Sequence, residues 1–176
     1  IITMLVAVLA GFPTPLKASH ILWINLITDS LPALALGVDQ NDGEALMKEP
    51  PRKSTDSLFS HGGMACTLCY GAVIGIISLI AFLAVPYQEL LKESLPVTVQ
   101  NLEKILRLEP ILNKAQTHAF TVLAMSQLMH AVGMRDVNKF IFKMKHMDNV
   151  YMISAWVTGI VLQALVTEIP YFVSLF

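Results

Sequence analysis

Hydrophobic residues in this chain are gathered into five runs that are separated by more polar stretches. The runs cover residues 1–10, 21–38, 63–85, 115–134 and 150–169. A helix needs roughly 20 apolar residues to cross a hydrocarbon core of about 30 Å. The last four runs approach or exceed that length, whereas the first is long enough only for the final half of such a helix. The pattern therefore predicts an all-α polytopic transmembrane helix bundle that forms a single domain over residues 1–176.

The composition supports a membrane protein. Hydrophobic residues make up 55% of the chain, charged residues only 14%, and the mean hydropathy is +0.61. Most charges fall between the apolar runs, as spanning helices require. The net charge is −1 and no stretch is densely basic, which argues against a nucleic-acid partner. We expect an integral, multi-pass protein that is surrounded by the lipid bilayer.

The charges of the connections predict how the bundle is oriented across the membrane. Lys and Arg are slightly more frequent in residues 39–62 and 135–149 than in residues 11–20 and 86–114, which predicts a cytoplasmic face for the first pair. Both termini lie in apolar sequence, and the first residue is not Met, so we expect a fragment of a longer protein. Residues 101–114 have an amphipathic pattern, which predicts a short helix on the outer surface.

The most informative polar residues are Asn25, Thr28 and Asp29, which lie inside the second apolar run. Their spacing of i, i+3 and i+4 places the three side chains on one side of an α-helix. An acid at membrane depth is a functional-site hypothesis by default, because placing it there is costly. Pro32 follows within one turn and lacks a backbone N–H, so we expect a kinked or partly unwound helix with freed carbonyl oxygens.

These oxygens match part of the ligand set of a hard cation. Calcium takes roughly six to eight oxygens from carboxylates, amides, carbonyls and water. Other helices would have to supply the remainder, and the candidates in this chain are Ser126, Gln127, Gln163 and Glu168. Calcium, manganese and sodium all accept such ligands, so the ion stays open at this stage. In the alternative reading, Asn25 and Thr28 are interhelical hydrogen bonders and Asp29 is a buried protonated acid.

A family resemblance narrows these alternatives. The string ILWINLITDSLPALALG at residues 21–37, followed by MKEPPR at 47–52, resembles the sixth transmembrane helix and the next cytoplasmic loop of P-type calcium-transporting ATPases. The remaining runs follow the family's order through its ninth helix. By this resemblance, residues 1–10 are the end of the fifth helix and the tenth helix is absent.

The resemblance implies metal ligands. Asn25 and Asp29 correspond to cation ligands of the family, and Thr28 corresponds to a ligand of the first of its two calcium positions. That position also uses an acid on the eighth helix, where this chain is expected to have Ala124. The resemblance therefore implies a pump that most resembles the single-calcium members, with calcium as the transported ion. A buried acid that has released its cation tends to take up a proton, which is consistent with proton counter-transport.

The resemblance also implies missing parts. The family forms an aspartyl phosphate at an Asp-Lys-Thr-Gly-Thr motif, and this chain contains neither that motif nor a glycine-rich phosphate loop. We expect no catalytic residues and no ATP hydrolysis by the chain alone. ATP and magnesium would act only through the cytoplasmic actuator, phosphorylation and nucleotide domains of the parent protein. In a bacterium, the membrane region of that protein would lie in the plasma membrane. A secondary cation transporter and a non-transporting membrane scaffold remain the alternatives.

Several other residues have plainer expectations. Cys66 and Cys69 lie in an apolar run without a second metal-binding pair, so we expect small packing residues. Trp23 is expected to anchor its helix at the membrane interface. The five histidines show no metal-ligand spacing and are expected at surfaces or interfaces. Arg52 and Lys53 are expected in an ordinary solvated loop, and the family resemblance adds a coupling role near the phosphorylation domain only as a secondary reading. The Lys139 to Lys145 loop is expected to lie on anionic lipid headgroups.

Overall fold

The structure is a computed structural model that describes residues 1–39, 62–134 and 149–169, together with positions 48, 51, 57 and 59. In these residues the regular elements are helical: α1 (Ile2–Leu9), α2 (Ala18–Trp23), a π-helical segment (Ile24–Thr28), α3 (Ser30–Gly37), α4 (Gly63–Lys92), α5 (Val99–Leu106), α6 (Glu109–Gly133) and α7 (Val150–Glu168). The all-α prediction is confirmed. The loops around Arg52 and from Lys139 to Lys145 lie outside the described residues.

The longest helix, α4, extends beyond its predicted end. We expected a connection to begin at Pro86, but the helix continues to Lys92 with Pro86 buried inside it. A proline in a helix interior removes one backbone hydrogen bond and costs about 3 kcal/mol. Val85 and Leu90 on either side are only 3% and 0% exposed, so packing against the core holds the helix together across the proline. The chain leaves the helix at Ser94, whose φ of 54° is in the left-handed region.

The connection after α4 also differs from its prediction. The amphipathic helix expected over residues 101–114 is α5, which occupies only Val99–Leu106. Thr98 caps it, because the Thr98 side chain accepts a hydrogen bond from the backbone N–H of Asn101 at 3.3 Å. Residues from Glu109 onward already belong to α6, which begins with a proline in its first turn as helices commonly do.

The core forms where α4 packs against α6. Small buried residues of α6, Ala115, Ala119 and Ala124, allow the two backbones to approach, as is usual between membrane helices. The Ser78 hydroxyl of α4 donates a hydrogen bond to the carbonyl oxygen of Ala119 at 3.1 Å. Phe82 fills the space beside them and is fully buried. These contacts make α4 and α6 the scaffold on which the other helices pack.

The N-terminal helix is fixed against α4 by a close backbone approach. The Thr3 hydroxyl donates a hydrogen bond to the carbonyl oxygen of Gly75 at 3.3 Å. A Cβ at Gly75 would lie 3.2 Å from the nearest side-chain atom of Ile2, so glycine is what permits this distance. Helix α1 therefore has a defined place in the bundle despite its eight residues.

Two helices in the described residues, α4 and α7, are long and apolar enough to cross a membrane by length and composition. The second apolar run does not form one continuous helix, because the π segment divides it. Helix α6 has the length but carries Gln116 and Gln127, which make it less apolar. The assignment of four complete spans thus stays a prediction.

A broken helix with a polar face

The helix that carries the polar triplet is interrupted by a π-helical turn. The backbone N–H of Asp29 donates to the carbonyl of Ile24 at 3.0 Å, a spacing of five residues, and the α-helical pattern resumes with Ala33 donating to Asp29 at 3.1 Å. Pro32 has no N–H to offer the carbonyl of Thr28, and the wider turn lies just before it. The break predicted around Pro32 therefore takes the form of a π turn, a feature frequent at functional sites. Pro32 itself is buried inside α3.

The π turn does not bring the three predicted ligands to one side. Asn25 and Asp29 are exposed on the described chain, whereas the Thr28 residue is only 4% exposed. Among the described residues, the side chains of Asn25 and Asp29 form no hydrogen bond or ion pair. These two side chains make an amide and carboxylate pair on a surface that the described helices leave uncovered.

One backbone oxygen in the turn already has a partner. The Ser30 hydroxyl donates a hydrogen bond to the carbonyl oxygen of Asn25 at 3.2 Å. A carbonyl oxygen has two lone pairs, so this oxygen retains one site for a further donor or a cation. The turn therefore presents a carbonyl close in sequence to the Asn25 amide and the Asp29 carboxylate.

Trp23, which directly precedes the π segment, forms a hydrogen bond with a buried residue of α7. Its indole Nε1 donates a hydrogen bond to Oε1 of Gln163 on α7 at 3.1 Å. The position of Trp23 at the membrane interface stays a prediction, and the structure adds that its indole N–H is directed at a residue that is only 2% exposed. Gln163, which was a candidate cation ligand, uses its side-chain oxygen as the acceptor for Trp23.

The other end of the broken helix is tied to the same neighbour. Asn149 precedes α7, and its Nδ2 donates to the carbonyl oxygen of Ala35 in α3 at 3.1 Å. Its Oδ1 accepts from the backbone N–H of Met152 at 2.8 Å and so caps α7. Sequence reasoning missed Asn149, although an Asn directly before an apolar run is a helix-start signal. Helix α7 and its cap thus hold the broken helix on both sides of the π segment.

The remaining candidate ligands have different surroundings. Glu168 is exposed at the end of α7, and Ser126 is partly buried in α6. The side-chain oxygen of Gln127 is buried and has no hydrogen-bond partner in the described part of the chain. Ala124 is fully buried in the apolar core. In the described ranges no three His, Cys, Asp or Glu side chains lie together in a group that could hold a metal ion.

Two of the plainer expectations are wrong. His20 is only 1% exposed, and its ring stacks on that of Phe120 with centroids 4.4 Å apart. Its Nδ1 accepts a hydrogen bond from the backbone N–H of Lys17 at 3.2 Å, which orders the start of α2. Cys66 and Cys69 are exposed on the described chain, so they do not pack between its helices.

An all-α chain with long apolar helices and a carboxylate beside a helix break is typical of membrane proteins that move ions. The chain belongs to the family described as cation transporting ATPase, C-terminus, which it matches over residues 13–176. It is thus the C-terminal membrane region of a P-type ATPase, and the predicted resemblance is confirmed. Membership in this family and the two long apolar helices make it an integral membrane protein.

Similarity to individual proteins extends over the whole chain. The chain is 40% identical to Calcium-transporting ATPase 1 of Bacillus cereus over 177 residues, which cover 100% of this chain and 19% of that protein. It is 33% identical to Calcium-transporting ATPase of Bacillus subtilis over 97% of this chain and 17% of the relative. It is 31% identical to Calcium-transporting ATPase 1 of Saccharomyces cerevisiae over 98% of this chain and 16% of the relative. The chain thus spans less than a fifth of the length of these relatives.

Proposed function

We propose that this chain carries part of the ion pathway of an ATP-driven calcium pump. The observation that carries the proposal is the outward-facing pair of Asn25 and Asp29 at a π turn. A charged side chain at membrane depth is costly unless it faces protein, water or an ion. The names of the relatives, which are calcium-transporting ATPases, support calcium as the ion.

The helices are assigned by the family's order. Helix α1 is the end of the fifth transmembrane helix, and α2, the π segment and α3 together form the sixth. Helices α4, α6 and α7 are the seventh, eighth and ninth, and their spans correspond to the apolar runs at residues 63–85, 115–134 and 150–169. In this assignment the uncovered polar face turns toward segments of the pump outside this chain, which complete the cation's oxygen shell.

Asn25 and Asp29 are the stronger ligands of the three. Both are exposed on the described chain, and they offer an amide oxygen and a carboxylate, which calcium prefers. Thr28 is the weaker candidate, because its side chain is turned into the packed interior. Asp29 is the only acid in the middle of the apolar runs, which supports a single calcium site built around it.

The transport cycle follows from this chemistry. ATP and magnesium act in the actuator, phosphorylation and nucleotide domains of the same parent protein, and the membrane region responds by exposing the site alternately to each side. When calcium leaves, the vacated carboxylate of Asp29 takes up a proton, so calcium leaves the cell while protons enter. Proton uptake removes an unpaired charge from a site that has lost its cation.

Reconstitution of the full-length protein tests the proposal. We expect proteoliposomes to accumulate calcium only when ATP and magnesium are supplied outside, and we expect the lumen to become alkaline as protons leave. A lumenal pH dye and radioactive calcium report both fluxes, with the membrane potential held at zero by valinomycin and potassium. Calcium uptake that is driven by a pH gradient without ATP would instead identify a secondary transporter. The absence of any uptake by folded protein would favour a scaffold.

A smaller effect is predicted for Asn25. We expect Asn25→Ala to raise the calcium concentration for half-maximal ATPase activity by about tenfold or more, because one amide oxygen leaves the shell while the carboxylate remains. Calcium titration of ATPase activity in the reconstituted protein measures this shift. Ser154→Ala changes an exposed side chain on α7 and serves as the control with wild-type affinity. An unchanged calcium dependence in Asn25→Ala would remove Asn25 from the ligand set.

A further inference from the structure

We infer that Gln163 is a positioning residue for the cation-binding turn, through its hydrogen bond to Trp23; this inference rests on the proposed calcium site. The two residues are 140 positions apart in the sequence, yet Trp23 Nε1 lies 3.1 Å from Gln163 Oε1. Trp23 is the last residue of α2 and directly precedes the π segment. Trp23 lies two residues before Asn25, and its position therefore sets where the π segment begins.

The unmet hydrogen bonding of Gln163 supports a role beyond packing. The residue is only 2% exposed, and its Nε2 has no hydrogen-bond partner in the described part of the chain. A buried amide with unpaired N–H groups is unfavourable, so an apolar side chain of similar size would suit a purely structural position better. What the amide supplies here is an acceptor for the indole N–H of Trp23.

The geometry around α7 explains how one hydrogen bond can affect a cation site. Asn149, at the start of α7, binds the carbonyl oxygen of Ala35 at 3.1 Å, six residues beyond Asp29. Gln163 binds Trp23 on the other side of the π segment. The turn that carries Asn25 and Asp29 therefore lies between two hydrogen bonds to α7 and its cap. The buried face of the turn also contacts α6, which leaves the ligand-bearing face outward.

A cation site loses affinity when its ligands are not held in place. Binding constellations need their groups within about 0.5 Å of the productive geometry. If one tie is lost, the turn spends part of its time in arrangements that do not bind, and the apparent affinity falls in proportion to the competent fraction. The maximal turnover of the pump depends on steps after calcium has bound, so it should change much less.

Two variants remove the hydrogen bond from opposite sides. The variants are Gln163→Leu and Trp23→Phe in the full-length protein reconstituted in lipid. We expect each to raise the half-saturating calcium concentration by between about threefold and about twentyfold, the range expected for one interhelical hydrogen bond. We expect the maximal calcium-stimulated ATPase rate to stay within about a factor of two of wild type. The double variant should be no worse than the more affected single variant, because both changes remove the same interaction.

Trp156→Phe is the matched control. Trp156 is a second tryptophan of the same region, lying on α7, and its indole N–H has no hydrogen-bond partner within the described residues. The substitution is chemically the same as Trp23→Phe but breaks no hydrogen bond to any residue that the structure describes. We expect it to leave the calcium dependence unchanged.

The possible results separate this inference from the proposed function. A wild-type protein without calcium-stimulated ATPase activity would overturn the pump itself. A stimulated wild type with wild-type half-saturation in both single variants would leave the pump standing and overturn the positioning role. Losses of maximal rate without a shift in half-saturation, or effects that add in the double variant, would also overturn it. If Gln163→Leu fails to fold, Trp23→Phe and its control decide the question alone.

Discussion

We expect Asp29→Asn to abolish calcium uptake and calcium-stimulated ATP hydrolysis by the full-length protein. The substitution keeps the size of the side chain and removes its negative charge, which is the strongest attraction a calcium ion would have in this chain's part of the site. Residues that merely support a metal ligand are worth about 10–100-fold in affinity, and the loss of a charged ligand should exceed that. Calcium titrations of ATPase activity up to millimolar concentrations measure the loss.

We expect the fold to tolerate this change, so a loss of calcium dependence can be separated from a loss of stability. Asp29 makes no hydrogen bond or ion pair with its side chain among the described residues, so Asn breaks no contact there. A neutral amide is also less costly than a charge at membrane depth. We therefore expect normal expression and a normal elution profile in detergent. If Asp29 served only the fold, as in the scaffold alternative, stability rather than calcium dependence would change.

Glu168→Gln provides the matched control for charge. Glu168 is the acid near the end of α7 and is exposed there, five residues beyond Gln163 in the sequence. The control removes one carboxylate from the same domain and should keep wild-type calcium dependence. If Asp29→Asn also kept it, calcium would have to bind elsewhere and the ligand assignment would be wrong.

The apolar runs predict the helices well but place some of their ends poorly. Each long run became helical, because a stretch without charges can satisfy its backbone in a membrane only by forming a helix. The end of α4 was missed because the apolar run stops at Val85 and the connection was placed from Pro86 onward. Burial of Val85 and Leu90 stabilises the helix across that proline, and such tertiary packing is invisible in local sequence.

The predicted site residues were found by a rule that holds for α-helices. Residues at i, i+3 and i+4 share a face only when the helix has its usual 3.6 residues per turn. The π turn over Ile24–Thr28 inserts an extra residue into the ladder and changes that angular relation. Thr28 consequently faces the interior while Asn25 and Asp29 face outward. The sequence signalled a break through Pro32, but not the type of helix that would accommodate it.

Contacts between distant segments were beyond sequence reasoning. Nothing in the local pattern links Trp23 to Gln163 or His20 to Phe120, since each pair meets only after the helices have packed. An aromatic residue near a helix end was therefore assigned to the membrane interface, although its N–H points inward. The same limit hid the role of Asn149, whose cap could be predicted locally but whose bond to Ala35 could not.

Close contact between α6 and α7 leads to the largest predicted effect on stability. A Cβ placed on Gly159 would lie 2.8 Å from Cδ2 and 3.0 Å from Cδ1 of Leu128. Leu128 is only 1% exposed, so it has little room to move aside. We expect Gly159→Leu to lower the free energy of unfolding by about 3 kcal/mol, the upper part of the usual range for overpacking.

Thermal unfolding in detergent measures this effect, and a second glycine isolates its cause. Gly71 is also inside a long helix, but a Cβ there would meet only Ile2, at an ordinary 3.8 Å. Replacing Gly by Ala in a helix interior contributes up to about 1 kcal/mol of stability when space allows. Gly71→Ala should therefore keep or raise the unfolding temperature, whereas Gly159→Ala should lower it despite the same gain in helix propensity. Equal unfolding temperatures for these two Ala variants would mean that α6 and α7 do not meet at Gly159, and the tie between Gln163 and Trp23 would lose the support of that packed interface.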